Sequence, residues 1–562
     1  MGKVRVMPFH NRSWSWGVIV SVTMALLYSA TLSAGESPAG QGGEAGVSAA
    51  AGASMPGAST ESGLPGVGTA ATAAGEAGVR LSLVDAVVLS LRHNLDIRVA
   101  SYNPGITRTS IDQALGQFDP LVSASLSYTT QRTPVFPSIF NGFRKDTRTQ
   151  SWNEQASIGV KTTAGGSVAI VNQNARIATG NPFLSSVSPF YESNVSLQFT
   201  QPLLRNAGTD VNRTDVIIAQ NNTKISVHQF VDLVMQQILS VNGAYWTLVF
   251  VREDYKAKEK SLTAAEDLLR NTVVKYEAGA VARVEVTQAR AQVAARQSDV
   301  VSARAAIKDA EDRLRQLVDS PEYALLSQTP IVPTDTPSVY AAQLDLPSSV
   351  HTALVTRPDI LLQAARIESF GVAVARAKNQ LLPEVDLQAT YTLNGLGRGW
   401  DSDYDLIGTF DERNISAGVT LSVPLGNRIA RSAYAQSRYL KLQALAQYES
   451  LERNVTLAVK KAIRDVATSL QQVETNRLSK EAAQEQLDAE VQKFQVGQEI
   501  SFFVLDAQQK LQAAESAYVA SLVNFNIAMA NYYRQTGQML SRFNIEVLPS
   551  SEIKKGSEAL MQ

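Results

Sequence analysis

The 562-residue chain contains no cysteine. This absence excludes disulfides, thiolate metal sites, thiol nucleophiles and an acylated N-terminal cysteine. Histidine is scarce as well: His10, His93, His228 and His351 are scattered, and no HExxH motif or other ligand-like pair joins them. The sequence also lacks GxSxG and Walker motifs. We therefore expect no enzyme, no metal site and no cofactor.

The net charge is close to zero, and long apolar runs are rare in the sequence. The formal net charge is −1, so no global field would attract nucleic acid, and we expect no nucleic-acid partner. An apolar run at 17–30 follows a basic segment and precedes small residues, which predicts a cleavable signal peptide over 1–34. A membrane anchor is the alternative, but the run is shorter than the roughly 20 residues that span a bilayer. No later run reaches that length without charges, so we expect any membrane insertion to use strands.

The remainder of the chain divides into a linker and a duplication. Residues 35–79 are mostly Gly, Ala, Ser and Pro, a composition that predicts a disordered linker. Beyond it, a shift of 263 residues places Leu83 on Leu346 and Pro120 on Pro383. Each half therefore begins with a helical region that ends at a proline, which is a common switch from helix to strand.

Alternation of apolar and polar residues after each proline predicts amphipathic strands. The four clearest segments are 121–129, 194–204, 384–393 and 414–425. The first half also carries extra residues between its two strands, including 155–174 with a central Gly165-Gly166. This pattern suggests an added hairpin. The sequence leaves open whether that hairpin joins the sheet or caps it.

A long polar helix with heptad-like apolar spacing follows each pair of strands, and a single glycine interrupts each one. The interruptions are KYEAGAVARVEVTQARA (275–291) and KFQVGQEISFFVLDAQQ (493–509), and a shift of 218 places Gly279 on Gly497. Glycine permits positive φ, so each break is predicted to be the tight turn of a helical hairpin. An ordinary coiled-coil rod is the alternative, and periodicity alone does not exclude it.

These patterns predict two repeats, 80–345 and 346–540, followed by a polar tail at 541–562. The first repeat comprises helices 81–117, strands 121–204, a long helical hairpin 213–318 and a connecting belt 319–345; the second comprises helices 346–382, strands 384–425 and a long helical hairpin 427–540.

Two stretches carry a resemblance to a known family: YEAGAVARVEVTQARAQ (276–292) and FQVGQEISFFVLDAQQKLQAAE (494–515). With the duplication, and with LLPEVDLQATY (381–391) and LLRNAGTDVNR (203–213), they resemble the TolC family of outer-membrane efflux proteins. The resemblance covers nearly all of 80–540. It implies a mainly α chain with a β-barrel segment.

By this resemblance the protein is a homotrimer, an internally duplicated α-barrel and β-barrel tube. Its shared β-barrel lies in outer-membrane lipid and its α-barrel crosses the periplasm. The implied function is an exit duct that receives substrates from a periplasmic adaptor protein and an inner-membrane pump. Closing the barrel through three chains would remove the edges that a lone four-stranded sheet exposes in lipid. The alternative is a periplasmic coiled-coil scaffold or adaptor-like rod, which has no use for repeated amphipathic strands.

The resemblance also implies a periplasmic gate near the two glycine turns. Gly279 and Gly497 would be the hairpin turns at the periplasmic tip, where the adaptor docks. Asp506 matches an acid that rings the narrow end of the tube, although a solvated helix-flanking acid is the alternative. Phe503 stands where some relatives carry a second acid, so the constriction is expected to be apolar there.

Contacts between the hairpins are expected to differ from those of the family. Glu285 matches an acidic position that contacts a tyrosine and a basic residue of the second hairpin in relatives. Here Phe494 and Glu499 hold those two positions, so that lock is expected to be missing. Arg283 is a candidate partner for Glu499, with simple surface charge as the alternative.

A glycine-rich segment, GLGRGW (395–400), superficially resembles a phosphate-binding loop. We expect it to bind no phosphate, because no helix is predicted to follow it. Four aromatic residues lie near predicted strand ends, as interfacial aromatic residues would: Tyr128, Trp152, Tyr391 and Trp400. Local packing is the alternative, and for Trp400 the two interpretations fit equally well.

Overall fold

The structure is a computed structural model that describes residues 78–134, 136, 146–179, 187–340, 344–496 and 498–545. The predicted signal peptide, the linker up to residue 77, Gly497 and the tail from residue 546 lie outside the described residues.

Most of the described chain is helical, and its strands form two sheets. The strands are β1 (Val79–Leu81), β2 (Leu121–Pro134), β3 (Asp146–Lys161), β4 (Ser167–Thr179), β5 (Phe190–Pro202), β6 (Ile331–Pro333), β7 (Glu384–Gly397) and β8 (Arg413–Ser422). The helices are α1 (Leu83–His93), α2 (Leu95–Leu115), α3 (Thr209–Asn212), α4 (Thr214–Glu277), α5 (Arg283–Val318), α6 (Leu346–Thr356), α7 (Pro358–Asn379), α8 (Trp400–Thr409), α9 (Arg428–Gln495), α10 (Ser501–Gln535) and α11 (Met539–Arg542).

The larger sheet has six antiparallel strands in the order β2-β3-β4-β5-β7-β8. Four of them come from the first half of the chain and two from the second. The hairpin predicted around Gly165 is the β3–β4 pair, and both of its strands belong to this sheet. Gly165 adopts φ +97°, a conformation that a non-glycine residue reaches only with strain. The added hairpin therefore joins the sheet and does not cap it.

A short helix follows the GLGRGW segment, which corrects the expectation that none would. Helix α8 starts at Trp400, and its first turn carries Asp401 and Asp403, which suit the positive end of the helix dipole. Asp403 is fully buried and accepts a hydrogen bond from the Ser193 hydroxyl on β5. The Tyr404 hydroxyl donates to Asn174 Oδ1 on β4 at 3.0 Å. Side chains of the sheet thus hydrogen-bond to this segment, and the glycines at the end of β7 let α8 lie close to that strand.

Two helical hairpins, α4–α5 and α9–α10, account for most of the remaining chain. The first helices have 64 and 68 residues, so each is roughly 100 Å long at 1.5 Å per residue. Helices of this length depend on packing. The start of α4 packs on α2 and α7, where Arg376 pairs with Asp215 at 2.7 Å, and its end packs on α5 and α10. Among the described residues, none of the helices has an apolar stretch long enough to cross a bilayer.

The main hydrophobic core lies where α1, α4, α5 and the belt meet. Tyr245 on α4 is fully buried there, and its hydroxyl donates to Asp335 Oδ2 at 2.7 Å. The same carboxylate accepts the Leu83 backbone N–H at 2.7 Å, at the start of α1. Next to this cluster, β1 and β6 form a parallel pair. These contacts fasten the belt to the middle of α4.

Candidate gate at the hairpin tips

The first hairpin turns at residues 278–282, between α4 and α5. Gly279 adopts φ +75°, and its N–H donates to the Tyr276 carbonyl at 2.9 Å. The Ala280 N–H donates to the Lys275 carbonyl at 2.8 Å. These two bonds form a Schellman motif, which ends a helix through a residue of positive φ. A Cβ at Gly279 would meet no described atom within 4 Å, so backbone conformation alone favours glycine there.

The second hairpin repeats this backbone arrangement between α9 and α10. The Gln498 N–H donates to the Lys493 carbonyl at 3.0 Å, which matches the bond between Ala280 and Lys275 after the shift of 218. Val496 holds the C-cap, and its N–H donates to the Gln492 carbonyl at 3.2 Å. Gly497 itself lies outside the described residues. The duplicated sequence therefore produces a duplicated helix ending.

Phe494 lies in a small apolar cluster between the two hairpins. Its side chain is buried with Leu268 from α4 and with Val504 and Leu505 from α10. Truncation of a buried phenylalanine typically costs about 3–5 kcal/mol. Phe494 thus supplies apolar packing between the two hairpins.

Lys275 connects the first hairpin to Phe494. Its ammonium donates to the Phe494 carbonyl at 2.9 Å and lies 3.6 Å from the centroid of the Phe494 ring. A cation over an aromatic face and a charge-assisted hydrogen bond are both favourable. The contact joins residues that are 219 positions apart in sequence. We call it the Lys275–Phe494 latch.

Glu285 makes a second connection between the hairpins. The hydroxyl of Ser501, a fully buried residue at the start of α10, donates to Glu285 Oε2 at 3.2 Å. Glu285 lies in the first turn of α5. The two tips therefore make two polar contacts, and the first hairpin supplies the charged group of each: the ammonium of Lys275 and the carboxylate of Glu285.

Phe503 and Asp506 lie in the first and second turns of α10, the helix that follows the second glycine break. Asp506 pairs with Lys510 on the same helix at 2.7 Å, and both side chains are substantially exposed. Phe502 and Phe503 are exposed and meet edge to face, with ring centroids 5.6 Å apart. An exposed carboxylate with its own cation and two exposed rings thus stand next to the second turn.

Arg283 and Glu499 do not form an ion pair within the part of the chain that the structure describes. Arg283 is exposed at the start of α5. Glu499 interacts with Lys493 instead: the hydrogen bond and charge of Glu490 raise the pKa of Lys493, and the charge of Glu499 adds to this rise. In the single chain, the exposure of Arg283 agrees with the alternative interpretation, a simple surface charge.

Sequence reasoning missed three residues of this site: Lys275, Ser501 and Lys510. A signal existed for Lys275, because the repeat alignment places it on Lys493 and so marks both turns with a lysine. The spacing of Asp506 and Lys510 is i, i+4, which pairs opposite charges on a helix. Ser501 carried no such signal, since its partner lies in the other hairpin.

Comparisons with known sequences agree with this architecture. The family model described as outer membrane efflux protein matches residues 349–538. Outer membrane efflux protein BepC of Brucella suis biovar 1 is 27% identical over 299 residues, which cover 53% of this chain and 62% of BepC. Outer membrane protein TolC of Escherichia coli is 25% identical over 313 residues, which cover 54% of this chain and 61% of TolC. The chain thus spans about three fifths of the length of these relatives.

Solved structures agree with the fold. The outer-membrane channel OprN has a TM-score of 0.60 at 20% identity, over 81% of this chain and 90% of OprN. The CmeC outer membrane channel of Campylobacter jejuni also has a TM-score of 0.60, at 16% identity, over 84% of this chain and 88% of CmeC. The predicted fold class, mainly α with an antiparallel sheet and an internal duplication, is confirmed. The matching family is described as outer membrane efflux protein, and OprN and CmeC are outer-membrane channels. Over residues 349–538 the chain is thus similar to the outer membrane efflux protein family, and its fold is that of TolC-like outer-membrane channels.

Proposed function

We propose that the protein is the outer-membrane exit duct of a tripartite efflux or secretion system. It would pass substrates from a periplasmic adaptor and an inner-membrane pump to the exterior, and its work would be conduction and not catalysis. The observation that carries this proposal is an amphipathic antiparallel sheet joined directly to two long helical hairpins whose tips contact each other. A sheet of this kind suits lipid, and paired hairpins suit a periplasmic gate.

The sheet distinguishes this function from a periplasmic scaffold or adaptor-like rod. One row of residues across all six strands is apolar: Val122, Ile158, Ile170, Leu197, Tyr391 and Ile415. Several of these side chains are strongly exposed in the single chain, Val122 at 66% and Ile415 at 73%. An exposed apolar row that crosses six strands needs cover, and the hydrocarbon of a membrane supplies it. A rod in water has no such cover.

The gate would be the region of the hairpin tips. In the closed state the Lys275–Phe494 latch and the Ser501–Glu285 hydrogen bond would hold the two hairpins of each chain together. In a homotrimer, three copies of Phe503 would surround an apolar constriction, and three copies of Asp506 would form an acidic ring that Lys510 partly neutralises. Arg283 and Glu499, which lie unpaired with each other, would be available to neighbouring chains.

The adaptor would dock at the glycine turns, Gly279 and Gly497. Exposed apolar side chains surround both turns, including Tyr276, Val496 and Ile500. An adaptor tip that covers these side chains and competes for the Phe494 carbonyl would release the latch. Energy for transport would come from the inner-membrane pump, since the chain would act only as a gated conduit.

Planar-bilayer recording tests this proposal. Detergent-extracted, unheated wild-type protein is added to a bilayer, and current is measured in monovalent salt. We expect discrete, long-lived conductance steps that divalent or trivalent cations reduce from the side of the hairpin tips. A protein that associates with the bilayer without any conductance would support the scaffold and contradict the duct.

A further inference from the structure

The number of strands that each chain gives to the sheet has a consequence for the assembly. Within the described part of the chain the sheet has six strands, and its two end strands, β2 and β8, are not paired with each other. Every residue of both end strands is exposed. Because all neighbours are antiparallel and the count is even, β2 and β8 run in opposite directions. The β8 edge of one copy can thus continue the same antiparallel pattern on the β2 edge of another.

The β3–β4 hairpin is a full part of this layer. In the apolar row, Ile158 and Ile170 stand between Val122 on β2 and Leu197 on β5. The adjacent row on the opposite face is mostly hydroxyl and amide: Ser123, Ser157, Val171, Ser196, Thr392 and Asn414. Along these two rows, the chemistry of each face therefore continues across the added hairpin.

Closure is the remaining requirement. Open strand edges are not tolerated in hydrocarbon, because unpaired N–H and C=O groups find no partner there. Edge strands this long and this exposed otherwise template aggregation. A second copy of the same chain supplies an edge of the right direction and with the same alternation. We infer that the occupant of each edge is the complementary edge of another copy.

We propose that three copies close an eighteen-stranded barrel, three times six strands, with β8 of each copy paired to β2 of the next. The inference rests on the proposed function, which supplies the membrane and the trimer. Four strands per chain, the number if the added hairpin only capped the sheet, would give twelve. Because barrel diameter grows roughly linearly with strand number, the mouth is about one and a half times wider than a twelve-stranded one. Barrels of this size leave an aqueous channel, here lined by the hydroxyl and amide face, which suits bulky hydrated solutes.

Cysteine cross-linking tests the position of the hairpin, and the cysteine-free chain gives a clean background. The Ser123 and Ser157 hydroxyls lie 2.7 Å apart on neighbouring strands. We expect the double variant S123C/S157C to form a disulfide within the chain in outer membranes. The matched control S123C/S196C spans three strand spacings, about 14 Å, and should form none. In a twelve-stranded barrel β2 would lie beside β5, and the control pair would cross-link instead.

A second set of variants tests the edges between copies. Cysteine pairs with one member on the polar face of β2, such as S125C, and one on the polar face of β8, such as S416C or T420C, are scanned over all registers. We expect one register to give a ladder that ends in a covalent trimer on a non-reducing gel. Single-cysteine variants are the control and should remain monomers on that gel.

The outcomes separate this inference from the proposed function. A control disulfide between β2 and β5, or no ladder in any register although the protein is an outer-membrane trimer, overturns the eighteen strands and leaves the duct standing. If the protein is not a trimer in outer membranes, both the eighteen-stranded barrel and the exit duct are contradicted. For the unmodified protein, electron cryo-microscopy of the extracted trimer counts strands directly: eighteen supports the inference and twelve contradicts it.

Discussion

At the first hairpin tip Lys275 and Tyr276 precede the glycine turn, and at the second tip Lys493 and Phe494 hold the same two positions. The backbones agree, since both turns carry the same N–H to carbonyl bond. The side chains do not. Lys275 reaches the other hairpin, whereas Lys493 pairs with Glu490 on its own helix at 2.9 Å. Tyr276 is exposed, whereas Phe494 is buried.

This difference shows how a duplicated element acquires two roles. A Schellman turn depends on one residue of positive φ and on backbone groups, so side chains around it can change freely. The first tip now supplies the cation and the carboxylate of the contact. The second supplies the buried ring, a carbonyl and a hydroxyl. A contact between two copies of one motif has thus become a contact between two unlike partners.

The largest effect should come from the buried ring. Phe494→Ala removes packing against Leu268, Val504 and Leu505, and we expect a local loss of about 3–5 kcal/mol. Tyr276→Ala, at the matched exposed position, should cost less than about 0.5 kcal/mol. Hydrogen exchange of the helix ends in detergent measures both. Equal exchange in the two variants would mean that the tips are not asymmetric.

The next effect concerns the turns themselves. Gly279→Pro replaces φ +75° by about −65° and removes the N–H that bonds Tyr276, so we expect a local cost of about 3 kcal/mol or more and impaired transport. Gly279→Ala should cost only about 1–2 kcal/mol, since its Cβ meets no described atom within 4 Å. Gly497→Pro should behave like Gly279→Pro. The trimer should survive in each variant, and dissociated monomers on a native gel would show that the turns hold the assembly.

The latch should give a smaller and more specific effect. Lys275→Met keeps the length of the side chain and removes its charge, so we expect a gain of roughly tenfold in open probability in planar bilayers, from about 1–2 kcal/mol of charged hydrogen bonding. Lys493→Met removes a pair with Glu490, whose side chain is largely covered, but this pair lies within one helix, so gating should be unchanged. If both variants open the channel equally, the latch has no special role.

The smallest effect concerns charge on α10. Asp506→Asn should weaken block by multivalent cations, and Lys510→Met should strengthen it, because that lysine lies 2.7 Å from Asp506. The exposed pair is worth about 0–1 kcal/mol, so each shift in blocking concentration should be a few-fold at most. Titration of channel current with a trivalent cation measures both. Block that stays the same in Asp506→Asn would remove this residue from the ring.

Much of the fold could be predicted because its signals are local. Alternation, heptad spacing and the glycine breaks depend on neighbouring residues, and a duplication shows each signal twice. The exception was α8, where GLGRGW reads as a loop although Asp401 and Asp403 mark a helix start. The buried Asp403 accepts a hydrogen bond from Ser193, which lies 210 residues away in the sequence. A tertiary contact therefore stabilises the helix in this segment.

The candidate site was less predictable than the fold. The family resemblance singled out Phe494, Glu285 and Asp506 as gate residues, but it did not give the partners that they have in this chain. Lys275 and Leu268, which pack on Phe494, and Ser501, which bonds Glu285, come from the opposite hairpin in each case. The local sequence of one hairpin does not predict such packing between hairpins. The place of the β3–β4 hairpin was open for the same reason, since a strand and a cap share one local pattern.

Separation of inner and outer membranes, followed by the native mass of the detergent-extracted, unheated protein, tests the exit duct most directly. We predict an outer-membrane particle of three chains. A soluble periplasmic monomer or dimer would leave the duplication and the turns intact, but it would contradict the barrel and the gate.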